Sequence, residues 1–184
     1  MKTSVEHYQK MIEAGLLTPE DKAELLENYV VIRMPRSPLH DGTIELVPAA
    51  LFPELPAGWS LRILQTVVLS DSQPEPDFGV VRGGARSYMD RHPGPADVGL
   101  LIEVADSSLL RDQRDKGRIY ARGGIPCYWI VNLVDRQVEV YTQPSGPPVP
   151  PSYASVQTYQ SGDRVLVVLD AVTVATVAVA DLLP

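Results

Sequence analysis

The sequence predicts an α/β domain built on a mixed β-sheet flanked by helices. Three observations carry that reading. β-rich runs at 61–70, 76–81 and 98–106 follow one another with turn material between them. One helical stretch, SSLLRDQRDKGRIYARGG, comes next. CYWIVNL and QVEVYTQP then supply two more strands around a turn at Asp135-Arg136. The order strand–strand–strand–helix–strand–strand forms one sheet, within a single domain spanning 1–184.

Residues 4–14 and 19–27 are expected to form two short helices around AGLLTP, with Thr18 as cap and Pro19 starting the second. NYVVIRMP reads as a strand closed by Pro35. Over 39–55, Val47, Leu51 and Leu55 recur at helical spacing, but Pro48 and Pro53 would shorten any helix. The helix after 98–106 is expected to start at Ser107 or Ser108 and to stop at Gly123-Gly124. SGPPVPPS is a proline-rich surface loop or flap. SYASVQTYQ and DRVLVVLD add C-terminal strands, followed by an amphipathic piece near VAVADLL.

Hydrophobic residues make up 45% of the chain and charged ones 21%, a globular balance rather than a disordered one. No window approaches about 20 uninterrupted apolar residues, which excludes a membrane-spanning helix. The N-terminus lacks a signal-peptide apolar core. Cys127 is the only cysteine, so the chain can form neither an internal disulfide nor a thiolate metal cluster. A soluble cytoplasmic protein is expected. The net charge of -7 counts against a broad nucleic-acid surface but leaves room for a local basic strip.

Three residues stand out. Glu103 interrupts the apolar strand VGLLIEVAD, where alternation puts it on one face with Leu101 and Ala105, opposite Leu100, Ile102 and Val104. A carboxylate buried there needs a metal, a cation or hydrogen bonds to compensate it. The plainer alternative is a Glu at the strand end that meets water or an arginine. Lys116 lies in or beside the helix stripe of Leu109, Gln113 and Tyr120. On helix spacing alone it pairs at the surface with Asp112, and it could instead reach the carboxylates at the sheet. Asp77 opens the strand PDFGVV, either as a turn former or as a carboxylate converging with Glu103 if the two strands are neighbours. Mg²⁺ suits two such carboxylates together with waters and phosphate oxygens, with the Val104 backbone carbonyl as a further donor.

This Asp, Glu, Lys constellation resembles the PD-(D/E)XK nuclease superfamily, with Pro76-Asp77 as the PD. Within it the chain is similar to the Uma-two family of restriction endonucleases. The resemblance runs from ELLENYVV through His40, PEPDFGVV and RHPGPADVGLLIEVADSSLLRDQRDKGRIYARGGIPCYWIVNL to VEVYTQP. The superfamily's usual E-x-K would place lysine at Ala105. In the Uma-two pattern it comes instead from a D-x-x-x-K on the next helix, here Asp112 to Lys116. A glycine common in that family after the N-terminal E-L is Asn28 here.

The resemblance implies a restriction-endonuclease-like core with additional C-terminal strands. It also implies Asp77 and Glu103 as metal ligands, Lys116 as the catalytic lysine, Mg²⁺ (or Mn²⁺ in its place) as cofactor, and DNA as substrate. A homodimer fits double-strand cleavage.

Other candidates carry less. Glu24 sits where such nucleases have an accessory acid, although a solvated helical Glu is the favoured reading. His40 more often marks a cap or a surface residue than a base. Asp106 is expected to cap the following helix, and Glu75 either supports the metal ligands from behind as an accessory residue or is merely exposed. Arg82, Arg86 and Arg91 form a basic cluster, diluted by Asp90 and Asp97, that could grip phosphates. Tyr128 and Trp129 read as core. Two other functions compete: a catalytically silent nuclease-fold binding module with a protein or nucleic-acid partner, and a regulator using SSLLRDQRDKGRIYARGG as a recognition helix. Strands on both sides of that helix argue against the second.

Overall fold

Helix α1 (Val5–Glu13) opens the chain, capped by the Ser4 hydroxyl, which accepts the His7 N–H at 3.2 Å. The structure, a computed structural model, describes residues 2–146 and 149–184. The helix expected at 19–27 does not form. Pro19–Asp21 make a single 3₁₀ turn, with the Thr18 N–H donating to Asp21 Oδ2 at 2.7 Å, and Lys22 then enters the left-handed region at φ 49°. Strands β1 (Ala23–Leu26) and β2 (Tyr29–Ile32) pair antiparallel across a two-residue turn, Glu27 and Asn28, at φ 50° and 66°. Leu25 and Gln73 exchange two backbone hydrogen bonds at 2.7 and 3.4 Å. This distant partner, absent from any local window, decides against the helix.

Helix α2 (Pro38–Leu51) starts at Ser37 with proline in its first turn and keeps Pro48 inside its last. The expected shortening does not occur, because Val47 and Leu51 are fully buried and pin that turn to the core. Strand β3 (Trp59–Ile63) is shorter than the run 61–70. Leu64 takes φ 52° and donates its N–H to the Asp77 carbonyl at 2.8 Å, which ends the ladder.

Strands β4 (Phe78–Arg82), β5 (Val98–Ala105), β6 (Cys127–Asn132), β7 (Gln137–Ser145) and β8 (Ser152–Gln160) complete a six-stranded sheet in the order β3-β4-β5-β6-β7-β8. Only β5 and β6 run parallel within it, and the helix over 109–122 makes the crossover that such a pair requires. That helix is continuous but not uniform: Leu109–Arg111 and Gly117–Arg122 are α-helical, and Asp112–Lys116 form a π turn.

All eight β5 residues are buried, so both faces of the sheet are covered. On one face Leu100, Ile102 and Val104 pack with Trp129, α2 and the hairpin of β9 (Arg164–Leu169) and β10 (Val172–Ala178). On the other, Leu101 and Ala105 meet Ile119, Tyr120, Tyr128 and Ile130 beneath the crossover helix. The amphipathic piece expected near VAVADLL is the end of β10 and a 3₁₀ turn, Val179–Asp181. Pro147 and Pro148 of the proline-rich loop lie outside the described residues; the Ser145 hydroxyl beside them donates to the Ser152 carbonyl at 2.9 Å. Among the described residues, no helix is long and apolar enough to cross a membrane.

Candidate active site

Phe78 pairs with Ile102 across β4 and β5, which brings Asp77 opposite the stretch Glu103–Val104. The Val104 N–H donates to Asp77 Oδ2 at 2.8 Å. The Asp77 side chain thus takes the place of a backbone partner where β4 has not yet begun. The Ala105 carbonyl accepts the Leu133 N–H on the β6 side, so by alternation the backbone groups of Val104 face Asp77.

Glu103 points to the helix-covered face and is 3% exposed. Its Oε1 accepts from Lys116 Nζ at 2.7 Å and from the Tyr120 hydroxyl at 2.6 Å, two residues one helical turn apart. The π turn carries both Asp112 and Lys116 inward, at 2% and 3% exposure. Asp112 does not form the surface pair that spacing alone suggested; its Oδ2 accepts from the Ser108 hydroxyl at 2.5 Å. Ser108 holds the N-cap position, yet its side chain bonds Asp112 rather than the helix backbone. Asp106 accepts the Ser37 hydroxyl at 2.7 Å, tying the loop before α2 to the loop before the crossover helix.

Glu24 is not a solvated helical residue. It stands on β1, fully buried, with Oε2 accepting the Glu75 N–H at 3.2 Å and lying 3.9 Å from Lys116 Nζ. Its Oε1 is buried without a hydrogen-bond partner among the described residues. His40, in the first turn of α2, puts Nε2 3.3 Å from Asp77 Oδ2. Glu75 pairs with Arg33 at 2.7 Å. Asp77, Glu103, Val104, Lys116, His40 and Glu75 all line one cleft of about 500 Å³.

The arginines singled out in the sequence are not brought there. Arg82 ends β4 at the opposite end from Asp77, pairs with Asp170 and stacks over Trp59 at 4.6 Å. Arg91 pairs with Asp97 at 2.6 Å and stacks on Tyr88. Arg86 is exposed in the adjoining 3₁₀ turn. The cations that do line the cleft are Lys22, Arg33, Arg36 and Arg111, besides Lys116. The one sequence signal for any of them is that Arg111 directly precedes the D-x-x-x-K.

Burial works against ionised Asp77, but His40, Lys116 and the Val104 amide outweigh it and hold its carboxyl below the usual range. Burial pushes Glu103 up to about 8, against the pull of Lys116 and with Asp77 and Asp112 adding to the rise. Burial also disfavours the Lys116 ammonium, yet Glu103, Glu24, Asp112 and Asp77 overcome it and keep its pKa above the ordinary value.

Among the described residues, Asp77 Oδ1 and Glu103 Oε2 have no protein hydrogen bond, and no group of three or more His, Cys, Asp or Glu side chains is set to hold a metal. Two carboxylates with a spare oxygen each, beside a backbone carbonyl, suit a hard ion that keeps waters and phosphate oxygens in its shell, as Mg²⁺ does. They do not make an all-protein cage.

The sheet with its single crossover and the carboxylate pair at the end of β4 and β5 place the protein in the restriction-endonuclease-like class of α/β folds. Residues 5–179 match the Uma2 family, described as "Putative restriction endonuclease", and the chain belongs to that family. The crystal structure of "a putative nuclease belonging to DUF820 from Anabaena variabilis" is similar to this one with a TM-score of 0.69 at 14% identity, over 98% of this chain and 97% of that one. At that identity the likeness is one of fold. No curated protein matches the sequence.

Proposed function

We propose that the protein is a metal-dependent endonuclease that hydrolyses DNA phosphodiester bonds. The observation that carries this reading is the Lys116–Glu103 contact of 2.7 Å, in the cleft that Glu103 shares with Asp77. Mg²⁺, or Mn²⁺ in its place, would be held by Asp77, Glu103 and the Val104 carbonyl. When bound, such an ion stabilises charge on the phosphate and makes a coordinated water more acidic.

The chain's own groups divide the remaining work. The Val104 N–H and His40 both engage Oδ2 of Asp77, which leaves Oδ1 for the ion. Tyr120 and Lys116 fix Glu103 through Oε1 in the same way. Lys116, kept protonated, suits a role in orienting the attacking water and stabilising charge on the phosphoryl oxygens, rather than in taking a proton. Glu24 acts as the accessory acid, one oxygen held by the Glu75 amide and the other left for water. In the reaction, water oxygen bonds to phosphorus as the bond to one sugar oxygen breaks. The water's proton passes to solvent and the leaving oxygen takes one up, giving a phosphomonoester and a hydroxyl end. Cutting both strands of a duplex calls for two copies of the site, and a homodimer supplies them.

The test is cleavage of supercoiled plasmid with Mg²⁺ or Mn²⁺, by the wild-type protein and by Lys116→Met. Nicking or linearisation that a chelator stops, and that the variant lacks while still folded, supports the reading. Cutting by Lys116→Met at the wild-type rate contradicts the role of Lys116. DNA binding without cleavage by the wild type would favour a silent binding module.

A further inference from the structure

A phosphodiester brought to Asp77 and Glu103 meets an acidic floor, to which Glu75 and Asp112 also contribute. Lys116 is already bound to Glu103, and Arg33 to Glu75. Some other cation must face the substrate.

Arg111 has the properties required. It ends the first turn of the crossover helix, lines the cleft and is 27% exposed. Its Nε is buried and has no hydrogen-bond partner among the described residues. The carboxylate it approaches, Glu24, leaves 3.9 Å between Nη2 and Oε1, beyond hydrogen-bonding range, and that Oε1 is itself buried and unpartnered among the described residues. Elsewhere on the same helix Arg118 and Arg122 both bond Glu27, at 2.6 and 2.7 Å, and Arg114 is exposed and does not line the cleft. Arg111 is therefore a half-buried guanidinium held over the floor of the cleft with donors still to satisfy. A planar fork of N–H donors matches phosphate oxygens. Arg36 lines the same cleft, exposed, on the loop that Ser37 ties to Asp106 at 2.7 Å.

We propose that Arg111 is a substrate-binding residue whose guanidinium grips a phosphate oxygen of the DNA strand lying at Asp77 and Glu103, with Arg36 as a second phosphate contact at the mouth. This proposal rests on the nuclease reading above.

The test uses the whole protein and Arg111→Ala, Arg111→Gln and Arg111→Lys. Mn²⁺ calorimetry reports the metal site by itself. A labelled DNA duplex in Ca²⁺, titrated over a range of salt, reports the phosphate grip, and cleavage in Mg²⁺ reports turnover. Arg111→Gln stands in if Arg111→Ala melts early.

The expected result is unchanged Mn²⁺ binding with duplex binding weakened about tenfold. The slope of log affinity against log salt should be shallower by about one, and cleavage should fall about a hundredfold. Arg111→Lys should recover the salt slope but only part of the rate, since it restores charge without the fork. Variants with intact Mn²⁺ binding that bind and cut DNA like the wild type would overturn the role of Arg111 and leave the nuclease reading standing. A wild-type protein that neither binds Mn²⁺ nor cuts DNA would overturn that reading, and this proposal with it.

Discussion

Lys116→Met removes the ammonium and keeps a side chain of similar length. At 2.7 Å and an effective dielectric of about 20, the gross attraction between Lys116 and Glu103 is about 6 kcal/mol. Much of that is offset by desolvation, and breaking one partner of a buried pair typically costs about 3–5 kcal/mol. Here the penalty should depend on pH. Glu103 already sits at about 8 with Lys116 present, and Glu24 and Asp112 face the same ammonium.

Without the lysine Glu103 and Asp112, both already raised by burial, should be pushed higher still. A carboxyl whose folded pKa is raised contributes stability that is complete below its unfolded value and is lost as pH rises through the folded one. The variant should therefore lose only about 1–2 kcal/mol near pH 6, where Glu103 is protonated in both proteins, and about 3–5 kcal/mol near pH 10, where wild-type Glu103 is ionised beside Lys116. Urea denaturation followed by circular dichroism, in chelator and at both pH values, measures the difference from wild type. A loss under about 0.5 kcal/mol at both, which is what an exposed pair contributes, would refute the buried-site reasoning. So would a loss that is the same at both.

Other outcomes follow from contacts around the site and away from it. Hydrogen bonds from Arg118 lead the interactions that hold Glu27 at about 2, so its stabilisation is present above pH 4.5 and disappears as pH falls through about 2. With both partners partly exposed, Glu27→Gln should cost only about 1 kcal/mol at neutral pH and nothing in strong acid, as read from urea melts under both conditions. Tyr120→Phe deletes the hydroxyl bonded to Glu103 and should cost about 1.5–3 kcal/mol while Mn²⁺ still binds; unaltered stability would mean that this bond does not hold Glu103 in place. Gly99→Ala places a methyl 2.6–2.9 Å from Leu169 and Trp59 on the far face of the sheet. It should lower stability by about 1–3 kcal/mol and leave Mn²⁺ affinity untouched, and a change in that affinity would show the two faces to be coupled.

The strand and helix order from β3 to β7 could be read from local periodicity, whereas the convergence of Asp77, Glu103 and Lys116 rests on the family resemblance, since helix spacing alone pairs Lys116 with Asp112 at the surface. Glu103 betrays itself because a carboxylate in an apolar strand must be compensated, and the helix that compensates it is next in the chain. Glu24 departs from the helical expectation for the opposite reason. EDKAELLEN has helix-forming residues, and what makes it a strand is pairing with Val31 and the bonding of its neighbour Leu25 to distant Gln73. The basic residues of 82–91 were placed near Asp77 by sequence proximity, yet a strand of five residues carries Arg82 to the other end of the sheet. Nothing local marks Arg36 and Arg111 as neighbours, because the Ser37–Asp106 bond that ties their two loops together spans 69 residues. The π turn, too, has no signature in DQRDK alone.

The central claim is that Asp77 and Glu103 form a site for a divalent ion. Calorimetric titration of Mn²⁺ into the wild-type protein and into Asp77→Asn tests it most directly, since Asn keeps the shape of the side chain and removes its charge. Binding to the wild type that is lost in Asp77→Asn is the result expected. Equal affinity in both proteins would place the ion elsewhere and contradict the account.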